Sequence, residues 1–352
     1  MKIALICWVG AGALADDLIG EATRKEFEAL GHEVDLGPWP KTQKELVARL
    51  NACDSIVFGG GSNICPTNMP PMNTVMKWGG KVDRPLHLLG CGFRKETPLL
   101  SDEQRSLNQY LFSRVQSSWL RGKVSADELV VNGIHREHDG FGDPGVLFDV
   151  GRRTELPGPG PHMTLVVRNL PNEESKNVQN RHVHEFYRRL CLRWHEDTGG
   201  SCVFVSWRHK HLNYDNDLEA AHLVKGSLPP AFPAFVHATP ADPEGAAAAT
   251  CSGDVVVSQR LHPTIVALAN GCKAVGLDYQ FNKMADFASV IDYPYWMHTN
   301  RLAQGADAIG QCIDSAMVWG QRGVEYPRLV EAIGDMRTAL RNHIAKILPR
   351  DK

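Results

Sequence analysis

The chain has 352 residues, 43% of them hydrophobic and 22% charged, and a formal net charge of -2. That length suits two cores rather than one, and the near-neutral balance speaks against a broad electrostatic surface for nucleic acid or acidic lipid while leaving room for a local basic pocket. No apolar run approaches the ~20 residues needed to span a bilayer, and nine scattered cysteines without C-x-x-C spacing fit reduced thiols in a cytoplasmic protein.

In chain order, Lys2–Val9 reads as a short apolar strand, and its Gly-rich end is turn chemistry rather than the design of a signal peptide. Asp16–Leu30 has helical spacing and stops at Gly31; His32–Leu36 is a second strand, Thr42–Leu50 a helix, Ser55–Gly61 a third strand and Pro85–Gly92 a fourth. Asp102–Ser118 is expected to form one helix and Ser125–Val131 a short one. Strands separated by helices predict a parallel sheet covered on both faces. Gly151–His162 then packs Gly and Pro so densely that neither helix nor strand continues. It marks a linker (151–162) between a first domain, 1–150, and a second, 163–352.

The alternation restarts with Met163–Asn169 as a strand and Val178–Glu196 as a helix, followed by strand Ser201–Trp207, helix Leu218–Val224 and strand Ala234–Ala238. Val255–Val257 is a buried strand that turns into a helix from Thr264 to Ala269 by way of Arg260, Leu261, His262 and Pro263. Proline suits the first turn of a helix. Lys273–Asp278 is a strand and Asn282–Ser289 a helix, and Tyr326–Ile347 is a last helix with the length to cross back onto the first domain.

Four features could carry chemistry. "GAGALA" (10–15) matches the dinucleotide pattern G-x-G-x-x-A after a strand, with Asp35 about twenty residues on as its ribose acid; a plain tight turn explains it as well. "FGGGSN" (58–63) follows a strand with three glycines, and Gly60, Gly61, Ser62 and Asn63 could present backbone and short polar groups to a ligand. "GCGF" (90–93) repeats the theme, and open parallel sheets bind ligands at that edge. Finally, Arg168 ends one strand of the second domain while Arg260 and His262 end another, a set suited to a phosphate or carboxylate beside helix N-termini. A lone histidine in such a place is ordinarily a hydrogen-bonded core residue; the arginines give it another meaning. The pairs His182/His184, His209/His211 and His135/His138 lack the accompanying ligands of a metal site, and no metal is expected. Asp217 ahead of "LEAAHLV" reads as a helix cap.

The segments "GALADDLI" (12–19), "CDSIVFGGGSN" (53–63), "GCGF" (90–93), "WLRGKVS" (119–125), "FGDPGVLFD" (141–149), "VVRN" (166–169), "NDLEAA" (216–221) and "VVVSQRLHPTIVALANGCKAVGLDYQFNK" (255–283) occur in an order that resembles the polysaccharide pyruvyl transferases. The resemblance implies two Rossmann-like α/β domains whose parallel sheets face a cleft, as in GT-B glycosyltransferases. It implies transfer of pyruvate from phosphoenolpyruvate to a sugar or glycan acceptor, free or lipid-linked, with release of phosphate and without a cofactor. It also implies that Arg168 and His262 belong to the donor site, with Arg260 on the motif's arginine, Gly60, Gly61 and Ser62 on the N-domain loop, and Asp16 on the first loop's acid. Ala13 and Ala15 replace an Asn and a Gly of that loop, and Gln259 stands where a small residue is common. In this chemistry His262 would protonate the donor's methylene carbon and Asp16 would orient or deprotonate the acceptor. A sugar-nucleotide glycosyltransferase, a nicotinamide oxidoreductase and a non-catalytic glycan or anion binder are the alternatives.

Overall fold

The computed structural model describes residues 1–10, 13–37, 42–61, 82–93, 101–134, 137–169, 180–208, 216–238, 242–279, 283–322 and 326–347. In the first half, strands β1 (Lys2–Ile6), β2 (Glu33–Asp35), β3 (Ser55–Gly59), β4 (Leu86–Cys91), β5 (Val115–Leu120) and β6 (Gly140–Phe141) alternate with helices α1 (Leu14–Ala29), α2 (Gln43–Asn51), α3 (Asp102–Arg114) and α4 (Lys123–Val131). They form one sheet in the order β2-β1-β3-β4-β5-β6, and every pair is parallel. A 3-10 turn at Pro144–Leu147 follows, begun by Asp143, whose side chain accepts from the Gly145 amide.

The second half holds β7 (His162–Val166), α5 (Asn180–Thr198), β8 (Ser201–Val205), α6 (Asp217–Gly226), β9 (Ala234–His237), α7 (Pro243–Thr250), β10 (Val255–Ser258), α8 (Leu261–Ala269), β11 (Lys273–Asp278), α9 (Lys283–Ile291), β12 (Trp296–His298), α10 (Ala306–Arg322) and α11 (Tyr326–Ile347). Its sheet runs β12-β11-β10-β7-β8-β9, again parallel throughout. β3, β4, β8 and β10 are buried at every position, as their unbroken Val, Ile, Leu and Phe content requires when helices cover both faces.

Three apolar clusters hold this together. One packs α2, α3 and α4 on the outer face of the first sheet through Leu46, Leu111 and Leu129. A second packs α5, α6 and α10 on the second sheet through Phe186, Ala220 and Cys312. The third joins the halves: Leu5 of β1, Leu18 of α1, Val146 of the 3-10 turn, Ile265 of α8 and Leu340 of α11 belong to one buried cluster. α11 reaches back to the first half as well, its Arg337 donating to the carbonyls of Val146 and Ala269 and its Arg341 to Glu26.

Three expectations are corrected. The helix expected over Asp102–Ser118 ends at Arg114, and Val115–Leu120 is a strand. Its serines look like helix surface but are buried, because the neighbouring strands satisfy them: Ser117 Oγ lies 2.8 Å from His87 Nδ1 and Ser118 N donates to Asp139. The cap of α6 is Asn216, whose side chain accepts from Leu218 N and Glu219 N; Asp217 is its first residue. β12 and α10 were not anticipated at all.

Candidate active site

Both sheets have a switch point where connections leave in opposite directions, and in open parallel sheets ligands bind at the carboxyl edge of that point. In the first sheet it lies between β1 and β3, so the first turn of α1, which carries Asp16, and the loop beginning at Gly60 border it. In the second it lies between β7 and β10, which pair directly with Val166 opposite Ser258. Arg168, Arg260 and His262 therefore leave adjacent strands at that edge. Backbone contacts bring the two edges together: Leu14 N donates to Trp207 O at 3.0 Å and Ala13 bridges Arg208.

His262 occupies the first turn of α8. Its Nε2 is 3.5 Å from Oδ2 of Asp143, whose side chain has 0% exposure against 14% for the histidine. At that distance the contact is an ion-pair approach and not a hydrogen bond, since Nε2 and Oδ2 are both buried without a hydrogen-bond partner. Burial acts to raise the Asp143 carboxyl, but the charges of His262 and Arg121 and the Gly145 amide outweigh it, leaving the group below the usual carboxylate range. Asp16, also buried, is pushed the other way: burial raises its carboxyl, and His262, Lys283 and Arg208 offset only part of that. The imidazole thus faces Asp143 directly and its charge also acts on Asp16, and both acids come from the first half of the chain.

Arg168 is 3% exposed and lies over the Tyr279 ring, 4.2 Å from its centroid, while its backbone amide donates to Gln259 Oε1 at 3.1 Å. The unusual glutamine in "SQRLHP" therefore fixes the end of β7. Arg260 does not present its guanidinium to the cleft as expected: Nε and Nη2 grip the Asp217 carboxylate at 2.6–2.9 Å. Asp217 is 1% exposed, and a buried carboxylate demands a paired cation. Gly60 is likewise committed, since its amide donates to Leu89 O rather than outward. It adopts φ +65° with Ile19 Cγ2 2.7 Å from where a Cβ would stand, so packing accounts for this glycine. Gly61 O accepts from Gly92 N, tying the loop to β4. Ser62 and Asn63 lie outside the described residues.

Asp35 is ion-paired with Arg49, whose Nε is 2.7 Å away, and is thus already engaged where a ribose would need it; Ala11 and Gly12 are not among the described residues. His184 bonds Asn169, while His135, His209 and His211 fall outside the described residues. Among the described residues no three His, Cys, Asp or Glu side chains gather as metal ligands, and no helix is long and apolar enough to cross a membrane. Cys7, near Asp16, donates its thiol to Gly59 O; burial, then Asp16, pushes it well up, which disarms it as a nucleophile. Sequence reasoning passed over Asp143, Arg208 and Lys283. Asp143 lay inside a quoted motif, but only folding shows which side chain of "FGDPG" turns inward.

A family model described as polysaccharide pyruvyl transferase matches residues 16–280. No curated protein matches the chain. Among solved structures, S. aureus MnaA with UDP aligns over 98% of this chain and 96% of that one, at 12% identity and a TM-score of 0.62. Anabaena HepE in complex with UDP-glucose aligns over 98% of both at 13% identity, TM-score 0.56. The UDP-GlcNAc 2-epimerase of Neisseria meningitidis, bound to UDP-GlcNAc, aligns over 99% of both at 11% identity, TM-score 0.54. At these identities the likeness is one of fold, the two-sheet GT-B architecture.

Proposed function

Because the chain belongs to the polysaccharide pyruvyl transferase family, we propose that it transfers the pyruvate unit of phosphoenolpyruvate onto two hydroxyls of a sugar as a cyclic ketal, releasing phosphate. The observation that carries this reading is His262 at the carboxyl edge of the second sheet, with Nε2 3.5 Å from the buried carboxylate of Asp143 from the first half. Protonation of the donor's methylene carbon by the imidazolium makes the adjacent carbon electrophilic, and Asp143 orients the ring. The acceptor hydroxyl adds to that carbon and gives its proton to Asp16. The carbon–oxygen bond to phosphate then breaks, phosphate taking up the Asp16 proton as it leaves, and a second hydroxyl closes the ketal and returns its proton to the His262 imidazole. Arg168, with Arg208 and Lys283 beside Asp16, supplies cations for the donor carboxylate and the departing phosphate. Arg260 supports the site through Asp217 instead.

The acceptor is a glycan or sugar of the kind the family name describes; residues 1–150 offer the acceptor side and 163–352 the donor side. The deciding experiment is phosphate release from phosphoenolpyruvate over a panel of sugar acceptors, with UDP-glucose as the competing donor. Wild type should release phosphate only with an acceptor present, and His262→Gln, which keeps a donor for Asp143, should lower turnover at least 10²-fold. Phosphate release by neither enzyme, or normal turnover with unchanged pH dependence in the variant, would overturn the reading.

A further inference from the structure

The proposed proton donor is fixed by Asp143, and something must in turn fix Asp143. The residue after β5, Arg121, is 1% exposed although it carries a full charge, and its Nε donates at 3.0 Å to Oδ2 of Asp286 on α9, itself 2% exposed. Arg121 comes from the first half of the chain and Asp286 from the second. Ser125 completes the clamp: its amide and hydroxyl both donate to the Asp286 carboxylate, and its hydroxyl accepts from Phe93 N. The turn "GCGF" is shaped around this group, for a Cβ on Gly92 would overlap the Arg121 guanidinium and one on Gly90 would overlap the Pro144 ring. Arg121 and the Asp143–Pro144 step thus lie under the same turn. A buried ion pair of this kind is a weak source of stability against apolar packing, so its position beside the site calls for another account.

We propose that Arg121 is a positioning residue for the proton-donating imidazole: anchored across the two sheets by Asp286, it supports the turn against which the Asp143–Pro144 step packs and so sets Asp143 opposite His262. Two ion-pair contacts here cross between the halves, Arg121 with Asp286 and Asp143 with His262, while Arg121 and Asp143 both belong to the first half. The groups facing Asp143 are His262 on α8 and Arg121 after β5, with the Gly145 amide. Those facing Asp16 are His262, Lys283, Arg208 and the neighbouring Asp17. The grip on His262 therefore depends on the two halves being docked, since the clamp draws one partner from each. The positioning role rests on the proposed proton transfer, whereas the link from Arg121 to Asp143 does not.

Protein labelled with 13C at aspartate side chains tests it, with the Asp143 resonance assigned by its loss in Asp143→Asn. In Arg121→Gln the Asp143 titration should move to higher pH by roughly one unit, the lower end of what a neighbouring charge exerts on a carboxyl. Turnover should fall at least tenfold with the KM for phosphoenolpyruvate unchanged, because Arg121 touches no substrate. Arg121→Met/Asp286→Leu, an apolar replacement of the kind buried pairs tolerate, serves if the single variant does not fold, and should move the titration in the same direction. A folded variant with an unmoved Asp143 titration overturns the proposal. So does one whose KM rises at normal kcat, which would make Arg121 a substrate ligand. Wild type without phosphoenolpyruvate turnover overturns the donor assignment instead, and the titration still decides the link from Arg121 to Asp143.

Discussion

Acid should loosen this protein through one histidine. His87 lies inside β4, 3% exposed, with Nδ1 2.8 Å from Ser117 Oγ. Burial, then the nearby charge of His343 on α11, lowers it from 6.5 to about 4, with Asp139 pulling weakly the other way. Above pH 6.5 the ring is neutral in folded and unfolded chains alike and exerts no pH dependence. Between 6.5 and 4 the unfolded chain takes up a proton that the folded one refuses, so stability falls as pH falls; below 4 both are protonated and the loss levels off. At about 1.4 kcal/mol per unit, the drop is worth roughly 3 kcal/mol, a large share of a typical folding free energy of 5–15 kcal/mol. Urea unfolding followed by tryptophan fluorescence at pH 7.5, 6, 5 and 4.5 measures it. His87→Asn, which keeps a polar partner for Ser117 but does not titrate, is the control. The wild type should lose roughly 3 kcal/mol more than the variant over that range, and parallel loss in both would refute the reasoning.

Three other outcomes follow from the geometry. Arg260→Ala strands the buried Asp217 carboxylate and should cost about 3 kcal/mol in urea unfolding, with the KM for phosphoenolpyruvate unchanged in the folded fraction; a raised KM at native stability would return Arg260 to the donor. Gly60→Ala forces a side chain into φ +65° against Ile19 and should cost about 2–4 kcal/mol, where a change under 1 kcal/mol would mean the loop relaxes freely. Asp16→Asn should lower turnover by about 10²–10⁴-fold. Because burial raises Asp16 and its carboxylate is the active form, wild-type activity should fall with acid at a pH above the ordinary carboxylate range, and that limb should disappear in the variant.

Strands such as Lys273–Asp278 and the helix Tyr326–Ile347 were legible to the residue, because apolar period and flanking glycines speak locally. Val115–Leu120 was not, since its two serines earn their place only through partners on β4 and just before β6. The two-residue β6 has no pattern to recognise. At the candidate site, the carboxyl edges of the strands were readable, and with them the placement of Arg168 and His262 at the ends of two adjacent strands. Which cation serves the cleft and which serves a buried acid was not, because Asp217 and Arg260 are 43 residues apart and nothing in either segment announces the other. Asp143 and Arg121 were invisible for the same reason.

The shared cluster under α11 has a consequence for biosynthesis. Leu5 and Leu18 belong to an apolar cluster that is completed by residues of the second half and last by Tyr326, Leu329, Ile333, Met336, Leu340 and Ile344. At ~5–20 residues per second, the first sheet waits on the order of tens of seconds for that cover to leave the ribosome. During translation the nascent N-terminal half thus carries a greasy face that a chaperone can hold. A stop codon ahead of Tyr326 would leave the part of that face under α11 uncovered for good, producing a chain prone to aggregate even though every residue of the candidate site had been made.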